Sequence, residues 1–299
     1  MRIFLTGATG FIGSHVIPEL LGAGHQVLGL TRSDAGAVRL EAAGAEPVRG
    51  TLEDLDSLKA GAARADAVIH AGFDHDFSRF VENCAKDGRV IQALGETLKG
   101  SDRPLLITSG VGLGAGTPGE PATEDRFDDH HPNPRIASER AGQEAAAAGT
   151  NVSVMRLPQV HDTRKQGLIT PMIAIARAKG LSGYLGTGEN RWPAAHISDV
   201  ARLYRLAIEA GTPGARYNAV AEEGIPVRAI AEAIGRGLGV PVASLSPSEA
   251  ADYFGWMAGF AGMDMPASSA WTRRTLGWDT HGPGLIADLD AMDYASDAA

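Results

Sequence analysis

The chain of 299 residues is long enough for one large α/β unit or two lobes, and its 44% apolar content supports a sizeable core. A formal net charge of −9 and a pI near 5.5 argue against nonspecific binding to nucleic acid or an anionic membrane. Cys84 is the single cysteine, which excludes an internal disulfide and a thiolate zinc cluster.

The first element is a short apolar run, Ile3-Phe4-Leu5, which reads as a buried parallel strand. Thr6 to Gly13 follow as T-G-x-x-G-x-x-G. Such glycines sit where a strand turns into a helix: Gly7 for the turn, Gly10 for backbone approach to a pyrophosphate, Gly13 for helix–strand packing. The helix from Phe11 to about Gly22 aims its free amides and positive dipole end at that phosphate. A second strand, His25–Leu30, follows at βαβ distance. The N-terminal apolar residues thus belong to a dinucleotide-binding unit rather than a signal peptide. No apolar run is long enough to span a membrane, so a cytoplasmic protein is expected.

The end of the second strand, Thr31-Arg32-Ser33, bears on cofactor choice. An acidic residue here would bond a ribose 2′-hydroxyl and repel a 2′-phosphate. Arg32 instead offers a guanidinium fork suited to phosphate, so NADP(H) is preferred, while Asp34 keeps NAD(H) open. A helix through 35–43 leads to the strand Glu46–Arg49 and to Thr51 and Leu52 beside the expected adenine pocket, where Thr51 also reads as a helix cap. The strand Ala67–Ala71 ends at Gly72, and Phe73–Phe77 are placed on the substrate side. A helix near Phe80–Leu98 precedes the strand Leu105–Ser109, which runs into the glycine-rich loop Gly110–Gly116.

Together these motifs resemble the short-chain dehydrogenase/reductase superfamily, and are most similar to its extended and atypical, epimerase/dehydratase-like branches. Val154-Met-Arg-Leu-Pro158, the segment Pro193–Ala201 and the closing Leu276-Gly-Trp278 agree, so the resemblance covers nearly the whole chain. It implies dinucleotide contacts from Gly7, Thr9, Gly10, Phe11, Ile12, Arg32, Ser33, Thr51, Leu52, Ala71, Gly72, Thr108 and Pro158. It also implies a serine after the fifth strand, matched by Ser109, and a Tyr-x-x-x-Lys pair that supplies the proton and holds ribose. That pair is missing. Its helix is expected from Asn133-Pro134 to Ala148, and in either register the positions read Arg135 with Glu139, or Ile136 with Arg140.

Arg140 can bond ribose hydroxyls, but a guanidinium cannot replace a phenol as proton donor. The alternatives are His161, His196, Tyr184 of the substrate lobe, or solvent. The acidic and histidine-bearing segment Glu124–His131 reads as a charged loop rather than a metal site, because adjacent side chains seldom converge on one cation.

Beyond the sixth strand (Asn151–Leu157), a helix over 167–179, a turn-rich connection over 180–188, a helix from Asp199, a strand over 216–220 and a helix Val227–Leu238 are expected. Tyr253, Trp256, Met257 and Phe260 fall on one helical face, as core or as an apolar substrate pocket. The expected architecture is a Rossmann-type, doubly wound parallel sheet with a smaller, mainly α-helical substrate lobe. Residues 1–165 form the NADP-binding domain, completed by returns around 191–220, and 166–299 form most of the substrate lobe. The corresponding function is an NADP(H)-dependent oxidoreductase reducing a small apolar ketone, enone or imine, with no metal, nucleic-acid or membrane partner. A non-catalytic NADP(H)-binding redox sensor and a sugar-nucleotide epimerase or dehydratase are the alternatives. A homodimer through the helices near 80–98 and 134–148 is possible by resemblance.

Overall fold

The computed structural model describes residues 1–295. In the N-terminal half, strands β1 (Arg2–Thr6), β2 (Gln26–Thr31), β3 (Glu46–Arg49), β4 (Ala67–His70), β5 (Pro104–Gly110) and β6 (Asn151–Leu157) alternate with helices. Those helices are α1 (Phe11–Gly22), α2 (Asp34–Ala42), α3 (Leu55–Ala63), α4 (Phe80–Leu98) and α5 (Ile136–Ala147). Next come β7 (Gln159–His161), α6 (Ile169–Lys179), β8 (Ser182–Leu185), β9 (Arg191–His196), α7 (Ile197–Ala210), β10 (Arg216–Asn218) and β11 (Glu222–Pro226). The chain ends with α8 (Val227–Leu238), β12 (Val242–Leu245), α9 (Pro247–Phe254), α10 (Ala258–Ala261), α11 (Ala270–Leu276) and α12 (Leu285–Ala291).

Seven strands form one parallel sheet in the order β10-β6-β5-β4-β1-β2-β3. Alternation along β1 loads both faces. Ile3 and Leu5 pack with Val16, Ile17 and Leu20 of α1 and Val200, Leu203 and Tyr204 of α7. Phe4 points the other way, into Leu58 of α3 and Val90, Ile91 and Leu94 of α4. Strand order reverses between β1 and β4, so the C-terminal ends of these two strands open the crevice where α/β sheets take ligands.

A separate core gathers α6, α8, α9 and α12 around Ile173, Trp192, Ile230, Ile234, Phe254 and Leu289. It lies over two small sheets, β11-β9-β7 and β12-β8.

Two expectations need correction. The connection over 180–188 contains a strand, β8, because Ser182–Leu185 find a parallel partner in β12. The stripe Tyr253–Phe260 is not one helix: Gly255 at φ +56° breaks it into α9, a single 3₁₀ turn and α10. The 191–220 return adds β10 to the main sheet and packs α7 against α1, while its strand β9 belongs to the three-stranded sheet.

Candidate active site

The glycine-rich turn is built for backbone approach. Gly7 has φ +68°, and a Cβ there would lie 2.7 Å from the Gly72 nitrogen on the neighbouring strand end. A Cβ on Gly13 would lie 2.2 Å from the Gly7 oxygen, so only glycine lets α1 sit this close to the turn. The Gly10 amide closes the turn onto the Gly7 carbonyl at 2.9 Å, and no side chain caps α1. The first-turn amides of Phe11 and Ile12 are therefore left for an anion, with Thr9 and Gly10 exposed above them. These residues fit a diphosphate.

The flanking positions gather along the same edge. Leu52 approaches Gly72, whose amide donates to the Thr6 hydroxyl at 3.1 Å beside Ala71. Thr51 accepts the amides of Glu53 and Asp54 in the turn before α3, but the helix starts at Leu55 and its cap is Asp54, which accepts from the Ser57 amide, so the cap expected at Thr51 falls three residues later. Ser33 caps α2 by accepting from Gly36. The Arg32 side chain has no ion-pair partner among the described residues, whereas Asp34 pairs with Arg49 at 3.0 Å. Arg39 of α2, which the sequence did not single out, lines a cavity of about 260 Å³ together with Thr9 and Ser14.

The catalytic positions are occupied differently from the resemblance. Arg135 and Glu139 turn inward, and Arg140 lies exposed against the Asp129 carbonyl. Glu139 is fully buried, accepting from Ser109 Oγ at 2.8 Å, from Arg156 Nε and Nη2 at 2.8 Å each, and from Arg216 Nε at 3.2 Å. Ser109 thus faces this ion cluster.

Arg135 stacks on Phe73 (4.1 Å to the ring centroid) and donates to Asp87, Ser138 and the Thr108 carbonyl. Asp87 also meets His70 Nε2 at 3.1 Å, and His70 Nδ1 meets the Thr6 hydroxyl at 2.6 Å. A buried chain of polar groups therefore joins the glycine-rich turn to the start of α5. Burial opposes ionisation of Asp87, but Arg135 and then His70 outweigh it and hold the carboxyl well below the usual carboxylate range. A phenol does reach the end of β5: Tyr204 Oη lies 2.7 Å from Thr108 Oγ1. Full burial pushes its pKa up, so it is a poor proton donor.

The two candidate histidines meet at the junction of the sheets. His161 and His196 are register partners across β7 and β9, with rings 5.7 Å apart, near Pro158 at the end of β6. His161 Nδ1 bonds Asp288 of α12 at 2.7 Å, while its Nε2 has no hydrogen-bond partner and lies 4.0 Å from Glu222. His196 Nδ1 accepts the Ser198 amide at the start of α7. Tyr184 lies in the second core near Arg228, 6.0 Å from the ring to the guanidinium.

Burial lowers the His161 pKa from its ordinary 6.5, with Asp288 only partly opposing it. As pH falls below 6.5, the unfolded chain gains a proton that the folded chain refuses. Stability should then fall by up to ~1.4 kcal/mol per pH unit until the lowered folded value is reached. Denaturant unfolding between pH 7 and 5 should show this slope and His161→Gln should flatten it; an unchanged slope refutes the assignment.

Across the cleft, an aromatic wall joins the β4–α4 loop to the C-terminal helices. Phe77 stacks on Trp256 at 5.1 Å, with Phe80 and Phe260 at its edges, and His75 lies between Phe73 and Phe77. Lys165 approaches the Phe11 ring, 6.0 Å from its centroid, and has no ion-pair partner among the described residues. The only group of metal-ligating side chains among the described residues is Asp128, Asp129 and His130, all exposed on the loop before α5. Glu124 of that segment is buried and serves Thr272 instead.

Among the described residues, no helix is long and apolar enough to cross a membrane. The family model for the NAD dependent epimerase/dehydratase family matches residues 3–219. A Schizosaccharomyces pombe protein, uncharacterized protein C2A9.02, is 46% identical over 98% of this chain and 100% of its own length. A 4-hydroxy-2-methyl-3-oxo-4-farnesyl-3,4-dihydroquinoline-1-oxide ketoreductase of Stigmatella aurantiaca is 26% identical over 73% of this chain and 67% of that one. The crystal structure of DesIV, a dTDP-glucose 4,6-dehydratase from Streptomyces venezuelae with NAD and TYD bound, superposes with a TM-score of 0.77. It is 18% identical and covers 98% of this chain and 96% of that chain. With its parallel sheet, glycine-rich turn and crevice, the chain belongs to the NAD-dependent epimerase/dehydratase family of the short-chain dehydrogenase/reductase superfamily.

Proposed function

We propose that the protein is an NADP(H)-dependent oxidoreductase that reduces a small, apolar ketone, enone or imine. The supporting observation is the pairing of an uncapped α1 N-terminus with an aromatic wall across the same cleft. Gly7, Thr9, Gly10, Phe11 and Ile12 hold the diphosphate, Arg32 the 2′-phosphate, and Leu52, Ala71, Gly72 and Pro158 line its path. When bound, the dinucleotide supplies hydride chemistry. The chain supplies position, an apolar surface at Phe77 and Trp256, and fixed charge from Arg135. No phenol–lysine pair is available on α5, so the proton comes from solvent, which suits an already activated acceptor. The ketoreductase relative, named for a cyclic ketone that carries an apolar farnesyl chain, is in keeping with this assignment.

Arg32→Ala should weaken NADPH binding by about ten- to a hundredfold, the worth of a charge-assisted phosphate contact, and leave NADH nearly unchanged. Equal losses for both dinucleotides in calorimetry refute the 2′-phosphate role. Turnover of NADPH with a panel of apolar carbonyls and imines tests the activity itself. Tight NADPH binding without turnover of any acceptor points to a redox sensor instead.

A further inference from the structure

Several polar groups at the cleft retain unused capacity. Arg135 has five N–H donors, and three hydrogen bonds are formed, to Asp87, Ser138 and the Thr108 carbonyl. Its Nε and one Nη2 proton meet no acceptor among the described residues, and the side chain is 14% exposed beside Phe73. Lys165 stands on a tight turn in which Asp162 accepts the amides of Arg164 and Lys165, each at 2.7 Å. That turn fixes the backbone and directs the ammonium toward Phe11 at the start of α1.

The nearby carboxylates are already engaged. Asp74 holds Lys86, Asp76 bonds Ser78, and Asp87 is shared by Arg135, His70 and Ser138. Asp87 pairs with Arg135 and Asp74 with Lys86, whereas Lys165 has no ion-pair partner among the described residues. His75 registers both cations. Although its edge is open to solvent, desolvation by its neighbours and then the charges of Arg135 and Lys165 lower its pKa.

We propose that the substrate is an organic monoanion: a carbonyl compound with an apolar body against Phe73, Phe77 and Trp256 and a carboxylate held by Arg135 and Lys165. This rests on the proposed function and adds a charged end to the apolar substrate named there. A neutral ligand would leave the Arg135 donors without an acceptor when water is expelled, at the cost that attends any desolvated polar group. A carboxylate satisfies them with charge-assisted bonds.

The test is calorimetric titration of the NADP⁺-loaded protein with 3-phenylpropionate and with its neutral amide, with Trp fluorescence followed in parallel. The carboxylate should bind about tenfold more tightly or better, with a preference that shrinks at high salt. Lys165→Gln and Arg135→Gln should each erase most of that preference, and Trp256→Ala should weaken both probes alike. Lys165 is exposed, so its variant carries the test even where Arg135→Gln fails to fold. Equal affinity for the two probes, or no binding of either, overturns the proposal. So does a Lys165→Gln variant that loses NADP⁺ affinity while keeping the carboxylate preference, since Lys165 would then serve the diphosphate. Failure of the unsubstituted protein to bind any dinucleotide overturns the proposed function instead.

Discussion

Replacing Gly13 by alanine should abolish dinucleotide binding and destabilise the fold together. The added methyl would lie 2.2 Å from the Gly7 oxygen and 2.9 Å from the Gly7 carbonyl carbon, both backbone atoms with no rotamer to yield. Relief requires α1 to move away from β1, which shifts the Phe11 and Ile12 amides off the phosphate position. Overpacking of this kind costs about 1–3 kcal/mol or more. Displaced amides should weaken NADPH by about a hundredfold or more, since two charge-assisted bonds are lost. Gly22→Ala is the control on the same helix. A Cβ there meets nothing within 4 Å, so affinity and melting temperature should hold. If Gly13→Ala binds NADPH as the parent does, the turn is not the dinucleotide site.

The second large effect belongs to Glu139. Among the described residues its carboxylate is the only acidic partner of Arg156, and both side chains are fully excluded from solvent. Glu139→Gln would leave the Arg156 guanidinium buried without a counter-charge, and Arg216 would lose the same partner. Breaking a buried pair from one side costs about 3–5 kcal/mol, whereas replacing both members by apolar side chains of similar volume is often neutral. Glu139→Gln should therefore lower the denaturant midpoint sharply, and the double variant Glu139→Leu, Arg156→Met should recover part of the loss. A single variant as stable as the parent would mean that the cluster carries no such weight. The contrast also separates roles: Glu139 stabilises the fold, while Arg135, four residues earlier, keeps free donors at the cleft.

The legible and illegible parts of the molecule divide by the range of the forces involved. Gly7, Gly10 and Gly13 could be read because each answers a demand made by its immediate neighbours. Both sheet faces could be read from alternation at Ile3, Phe4 and Leu5. The partners of Arg135 and Glu139 could not. Asp87 lies on α4 and Arg156 on β6, so only the fold brings them together, and a polar residue on a helix looks solvated until its neighbours are known. The apolar stripe from Tyr253 to Phe260 misled for a related reason. Periodicity registers side chains, not the φ of +56° at Gly255 that breaks the helix and turns Trp256 outward, leaving it 53% exposed. His161 and His196 were singled out from separate segments, and the structure makes them neighbours. It also gives His161 an Asp288 partner that nothing in its own segment announces.

The sheet's last strand has a consequence for how the protein is made. β10 pairs with β6, and α7 covers α1, yet both follow a long excursion through the other lobe. A nascent chain that has emerged only as far as β6 presents an open backbone edge together with the uncovered Val16, Ile17 and Leu20. Until Tyr217 arrives, that intermediate is prone to misassociation, and translation stalled in the interval should yield aggregates that a chaperone suppresses.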